Sequence, residues 1–473
     1  MPSTRTTFLV LAAGSAAFAM LQSLVTPVLP VIQDRLGTSQ NAVTWVMTAN
    51  LLSAAIFTPI LGRVGDAAGK DRVLAAVMWI LAAGCLVAAL APNIGVLIAG
   101  RALQGVAGAV YPLAYGIIRD EYPPERVAAG VGGISAVIAA GGGLGIVLAG
   151  PVTGTLGYTW LFWIPMAVSA AGALAVHLFV PASPVRTGAR FGPSAALLLA
   201  AWPVCLLLAV GRGPERGWGS PVVLGLFLAA AVLLAAWLVA ESRAANPLID
   251  LRVFRLPAVR RTNLVALLFG GGQFALFTFL PQFLQTPADA GYGFGATVTE
   301  AGLLLLPMLA AMFAAGLLTG RLQKVADAKA QLFAGSVLTV AAFAALAFAH
   351  DAPWQAALAA AVFGVGLGTA LPAMTNLIVG NVPAEQAGAA SGMNANMRTI
   401  GGAIGAALVG AVVTARPAVG GHPPESGYAS GFLLLAAVAV AAAATTLLIP
   451  RARPRAGEPP TEAGRAGARD RTA

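Results

Sequence analysis

Apolar residues run in blocks of about twenty from position 8 to position 450, with short polar breaks between them. A helix of that length spans roughly 30 Å, the thickness of a bilayer's hydrocarbon core. Polarity does not alternate from residue to residue within the blocks, so the strands of a membrane barrel are excluded. Fourteen blocks can be read: 8–32, 43–61, 73–92, 94–118, 128–152, 160–180, 193–211, 221–241, 263–285, 297–320, 328–349, 353–380, 388–414 and 428–450. They predict an all-α membrane protein with 14 transmembrane helices. The breaks leave no room for a soluble domain. The longest are 242–262 and the polar, Pro- and Gly-rich tail after Pro450, which is expected to be disordered. The first block is too long for a signal-peptide core and is read as a retained span.

The basic residues give the blocks a direction. With the N-terminus inside, 22 of the 28 Lys and Arg fall in inner segments. Four fall in outer loops (Arg35, Arg212, Arg216 and Arg416), and Arg101 and Arg398 lie within blocks. That asymmetry predicts cytoplasmic N- and C-termini and a multi-pass protein of the plasma membrane.

The two halves of the pattern repeat. At an offset of 260 residues, "YPPERVAAGVGG" (122–133) lies over "VPAEQAGAASGM" (382–393), and "GGGLGIVLAG" (141–150) over "GGAIGAALVG" (401–410). Gly108 and Pro112 match Gly368 and Pro372 at the same offset. The first six spans thus repeat as the last six, with two inserted between them. The domain plan is 1–185, an N-terminal six-helix half; 186–262, inserted helices 7 and 8 with their loops; 263–450, a C-terminal half; and 451–473, the tail. Parallel repeats of this kind place a substrate site between the halves near the midplane.

Composition narrows the classes further. The chain is 58% apolar and 10% charged, where a soluble chain is roughly 25% charged. The net charge of +10 is assigned to membrane-flanking loops, so no nucleic-acid partner is expected. Cys85 and Cys205 lie inside apolar blocks as small core residues rather than a disulfide. No catalytic set, metal-ligand cluster or phosphate loop is assembled in the polar breaks, so neither enzyme chemistry, a metal nor a cofactor is expected.

The break "GRVGDAAGKDR" (62–72) falls between the second and third spans, on the inner side. Its glycines suit a turn with close backbone approach, and Asp66 can cap a helix or pair with a base such as Arg72. Either it is a latch made in one conformation, or it is a tight turn with positive-inside charges. Its spacing resembles the signature loop of the major facilitator superfamily, with Gly62, Asp66, Gly69, Lys70 and Arg72 in register. The stretches "WVMTANLLSAAIFTPILGRVGD", "LIAGRALQGVAGA", "EAGLLLLP" and "ASGMNANMRTIGGAIGAAL" resemble its fourteen-helix drug:proton antiporter branch. The resemblance implies the major facilitator fold in a 6 + 2 + 6 arrangement, alternating access, and an inner gate at the 62–72 loop.

A charge within a span is costly. Arg101 sits early in span 4, followed by Gln104 and Gly105; it either snorkels to the outer surface or serves inside the bundle. The resemblance implies the superfamily's span-4 arginine, linked to proton coupling. Arg398 is deep in span 13, with Asn394 one turn earlier on the same face, and is expected to point inward. In span 5, "GGGLGIVLAGPVTG" allows helices to approach and bend, and Pro151 breaks the hydrogen-bond ladder near the outer end. Gly145, Gly150, Pro151 and Gly154 resemble the antiporter glycine motif of that span, although Ile146 and Thr155 depart from it.

Span 1 departs most. Gln22 stands where the drug:proton branch carries an acid, and all 18 Asp and Glu lie in loops, in the tail or near span ends. A coupling group must gain and lose a proton, which a buried carboxylate does well and an amide cannot. The combined expectation is export of a small amphipathic molecule, neutral or anionic, by a monomer in the lipid bilayer. The proton is the expected coupling ion. Gln22, Arg101, Gln104, Asn394 and Arg398 would line or support the cavity. Uptake or uncoupled exchange is the alternative; a non-transporting sensor or membrane enzyme is disfavoured.

Overall fold

The computed structural model describes residues 4–182, 193–244, 247, 251, 255–323, 325–382, 384–415 and 422–450, apart from side chains at scattered positions of 124–140, 214–215 and 384–389. The inner loop at 186–190 and the tail at 451–473 lie outside these residues. The described chain forms fourteen long helices. The first six are α1 (Thr4–Arg35), α2 (Gln40–Ala68), α3 (Lys70–Ala89), α4 (Ile94–Glu121), α5 (Pro124–Thr155) and α6 (Trp160–Phe179). Then come α7 (Pro193–Arg216) and α8 (Pro221–Arg243). The last six are α9 (Pro257–Gln285), α10 (Val298–Leu322), α11 (Ala328–Phe348), α12 (Pro353–Val379), α13 (Ala384–Val413) and α14 (Glu425–Leu447). Thirteen are long and apolar enough over their described residues to cross a membrane, and α5, with 32 residues, is the fourteenth.

The helices begin where the sequence offers an acceptor to orphan amides. Ser39 Oγ accepts from Ala42 N at the head of α2, Asn93 Oδ1 from Val96 N at α4, and Asp327 Oδ1 from Ala330 N at α11. At α10, Thr297 and Glu300 form a reciprocal capping box.

One detail differs from the sequence reading. The stretch 62–72 is not a loop: α2 continues to Ala68 and α3 starts at Lys70, so Gly69 alone makes the turn, at φ 107°. Only glycine adopts that backbone easily. Pro151 does not end α5; the helix runs on to Thr155, whose Oγ1 donates to Pro151 O at 2.7 Å. The carbonyl left without a donor by Pro151 is that of Val147, one turn earlier, and the helix continues past it.

Each six-helix half has its own apolar core. One gathers α1 to α6 around Phe18, Leu81 and Phe162, the other α9 to α14 around Phe279, Phe343 and Phe363. The 260-residue repeat reappears as packing. Gly141 and Gly145 of α5 sit against the α1 backbone at Ala16 and Met20, while Gly401 and Gly405 of α13 sit against the α9 backbone at Leu267 and Gly271. Small residues at these four positions let the helices touch backbone to backbone. The inserted α7 lies on the seam, where Leu207 and Val210 join Leu51 of α2 and Ala403, Ala407 and Ala411 of α13 in a small third core.

Candidate transport path and its gates

At the Gly69 end of the bundle, Lys70 is a buried hub. Its Nζ lies 2.8 Å from Asp120 Oδ2 on α4 and 3.3 Å from Asp66 Oδ1 on α2. Lys70 is 6% exposed and the Asp120 side chain 10%, so that pair is largely shielded from water, whereas the Asp66 side chain is 40% exposed. Two glycines make room for it. A methyl on Gly116 would meet Lys70 Cδ at 2.7 Å, and one on Gly65 would meet Leu113 Cδ2 at 2.5 Å. Arg72, named above as a partner for Asp66, is exposed, and Gly62 lies mid-helix in open space. Asp120 was not singled out from sequence as a partner; it lies 50 positions from Lys70, and only the fold brings them together.

Toward the end of the first half away from Gly69, Arg101 neither snorkels nor meets an acid. It is wholly buried. Its Nε donates to Val46 O at 3.1 Å and its Nη1 to Gln104 Oε1 at 2.7 Å, and Nη2 lies 3.7 Å from Met47 Sδ. Gln104 Nε2 donates in turn to Gly84 O, and Asn50 Nδ2 to Arg101 O. A guanidinium is the cation most readily satisfied by neutral acceptors, because its five N–H groups spread its charge. The cluster ties α2, α3 and α4 together.

Half-way along α13, Arg398 lies across the seam from Tyr111 and Tyr115 of α4, within electrostatic reach of both rings. One turn earlier, Asn394 Nδ2 donates to Asn263 Oδ1 at 2.9 Å, inside the second half. Asn394 is thus bonded within its own half. Gln22 is half-buried in α1, just before a 3-10 step at Thr26–Val28, and its carbonyl accepts from Thr26 Oγ1.

The opposite end, away from Gly69, carries direct bonds between the halves. Gln285 Nε2 of α9 donates to Pro27 O of α1 at 2.7 Å, and Gln40 Nε2 of α2 donates to Gln282 Oε1 of α9. A methyl on Gly150 of α5 would strike the Thr299 backbone of α10, and one on Gly302 would lie 3.1 Å from Ile146 O. Of the span-5 glycines, Gly145 packs within its own half, Gly150 seats the other half, and Gly154 touches nothing within 4 Å of a built methyl; Pro151 is exposed. Gln282 and Gln285 were not singled out from sequence. The signal was there: "QSLVTP" (22–27) and "QFLQTP" (282–287) match at the same 260 offset, making Gln282 the counterpart of Gln22.

The fold and the seam between two like halves agree with comparison to known proteins. The family model described as Major Facilitator Superfamily matches residues 11–406, with a further match over 287–471. The chain belongs to the Major Facilitator Superfamily. Among curated members, it is 28% identical over 418 residues to the tetracenomycin C resistance and export protein of Streptomyces glaucescens, covering 87% of this chain and 76% of that one. It is 26% identical over 398 residues to the multidrug transporter protein MdtP of Bacillus subtilis (strain 168), covering 83% of this chain and 72% of that one. Among solved structures, the nucleoside transporter NupG superposes with a TM-score of 0.63 at 16% identity, covering 94% of this chain and 100% of that one. At that identity the likeness bears on the fold alone. This superfamily protein is a transporter whose curated relatives include drug and antibiotic efflux proteins.

Proposed function

We propose that the protein exports small amphipathic organic molecules across the plasma membrane by alternating access, with both termini in the cytoplasm and the proton as coupling ion. The observation that carries this reading is the seam. One end is closed by bonds between halves (Gln285 to Pro27, Gln40 to Gln282, Gly150 on Thr299), and Arg398 faces Tyr111 and Tyr115 across the middle. In the positive-inside orientation the closed end is outer, so the conformation is one that loads from the cytoplasm. Arg398 with two phenol rings suits a partly aromatic solute, neutral or anionic, through cation–π and charge-assisted contacts. Lys70 with Asp66 and Asp120 serves as the inner latch, and Arg101 with Gln104 holds α2, α3 and α4 as one rigid unit. The export assignment is further supported by the relatives named above. Transport of a panel of dyes and antibiotics into inverted vesicles, with and without a pH gradient, tests it. Gradient-dependent accumulation is expected; uptake into right-side-out cells instead would reverse the direction.

A further inference from the structure

The chain lacks a mid-membrane acid, so a proton must be held elsewhere if one is used. Just past the end of α11, His350 Nδ1 lies 2.7 Å from Leu346 O and its Nε2 2.9 Å from Glu425 Oε1. A neutral imidazole has one N–H and one lone pair, so it cannot donate to both. A backbone carbonyl cannot give up a hydrogen, which places N–H on Nδ1. A hydrogen bond from Nε2 to Glu425 made at the same time would then need a second proton on the pair.

The pair touches the closed gate through one ring. Phe283 of α9 receives the His350 ring edge-on at 5.3 Å between centroids and packs against Tyr428 at 5.5 Å and Tyr292 at 5.6 Å. The Tyr292 hydroxyl donates to Pro423 O, pinning the 287–297 loop to the lead-in of α14. Phe283 lies in the same turn of α9 as Gln282 and Gln285, the two residues that reach across to the first half. Titratable groups on the elements around His350 are Glu425 and Tyr428 of α14, Asp289 and Tyr292 of the loop, and Asp351 beside it in sequence; α9 adds none at this end. Burial holds the Tyr292 phenol above its ordinary value, with the Glu425 charge adding to the rise, so Tyr292 stays a neutral donor.

We propose that His350 and Glu425 form a proton-binding site that holds the outer gate shut through the aromatic seat of Phe283. With the proton bound, the ends of α11 and α14 are clamped and the two glutamines of α9 are fixed against Pro27 and Gln40. When the proton leaves, a ring lone pair faces a carboxylate, the two acceptors repel, and the seat loosens. Closure is therefore favoured at low outer pH and weakened as outer pH rises. The outward direction rests on the orientation proposed above.

The test uses the full chain in vesicles with His177→Gln and His422→Gln, leaving His350 as the single histidine of three. Nitrogen NMR of the labelled ring at pH 7 is expected to show two protonated nitrogens, with loss of one in E425Q. A singly protonated ring in both proteins would overturn the site. Gate state is read separately, by labelling Gln22→Cys with an impermeant maleimide from the outer face, in a background with Cys85→Ser and Cys205→Ser. The rise in labelling from pH 6 to pH 8 is expected to exceed by about fivefold that of the same cysteine with H350A or E425Q, which report the thiol's own pH response. Equal rises would overturn the link to the gate. These readouts need no transported solute. Failure of every dye to move would sink the export reading while leaving this site standing.

Discussion

Gly145 and Gly405 stand 260 positions apart and do the same work: each lets its helix rest on the backbone of the first helix of its half, Gly145 on Met20 O and Gly405 on Gly271. The duplication therefore keeps a packing distance as well as a sequence pattern. The same holds for Gly108 and Gly368, which press on α2 at Ala54 and on α10 at Met312.

Substituting Gly401 or Gly405 by Leu should disrupt the second half. The side chain has nowhere to go but into the α9 backbone, and overpacking of this kind costs ~1–3 kcal/mol or more. Thermal unfolding in detergent is expected to show a lower midpoint for both. Gly154→Leu, in open space, should leave it unchanged.

Removing Lys70 leaves Asp120 buried without its cation, which costs roughly 3–5 kcal/mol. Lys70→Met is expected to be strongly destabilised. Asp120→Asn should be milder, because Lys70 keeps Asp66. Arg72→Ala, on the exposed face, should be within about 0.5 kcal/mol of the parent. Ranking these three by unfolding midpoint decides whether Lys70 or Arg72 is the hub.

Arg398→Ala should lower transport of neutral and anionic aromatic solutes by about tenfold or more, as expected for loss of a charge-assisted contact. Arg398→Lys should restore part of it. Transport that survives the alanine for every such solute would remove Arg398 from the substrate path.

Gln285→Leu deletes the bond to Pro27 O and leaves that carbonyl to water or to nothing. The outer gate should open more often, seen as faster outside labelling of Gln22→Cys, by about threefold to tenfold for one such bond. Unchanged labelling would assign the closure to the glycine contacts at Gly150 and Gly302.

A pH gradient across inverted vesicles should drive export even though Gln22 cannot titrate. If collapse of the gradient leaves the rate unchanged, the amide at position 22 marks an uncoupled carrier.

Much of the fold was legible because its determinants are local. Transfer free energy acts residue by residue, so fourteen apolar blocks announce fourteen helices. The glycines at 141, 145, 401 and 405 were visible in the sequence as a repeat, and in the structure each seats its helix on the first helix of its own half. The turn at Gly69 was misjudged as a loop of eleven residues because Gly, Asp and Lys read as breakers in water, whereas here most of the stretch is covered by helix.

What the sequence alone determined is the architecture: an all-helical membrane chain, duplicated, with its polar residues scarce and countable. Tertiary structure decided which of those polar residues meet. Lys70 and Arg72 are two positions apart, and residues so spaced point to different sides of a helix, so only the rotation of α3 selects Lys70 for Asp120. Arg101 finds a carbonyl, an amide and a thioether in place of an acid, and His350 finds Glu425 75 positions away. Partnerships of that kind depend on the axial register and rotation of packed helices, which single-residue chemistry does not encode.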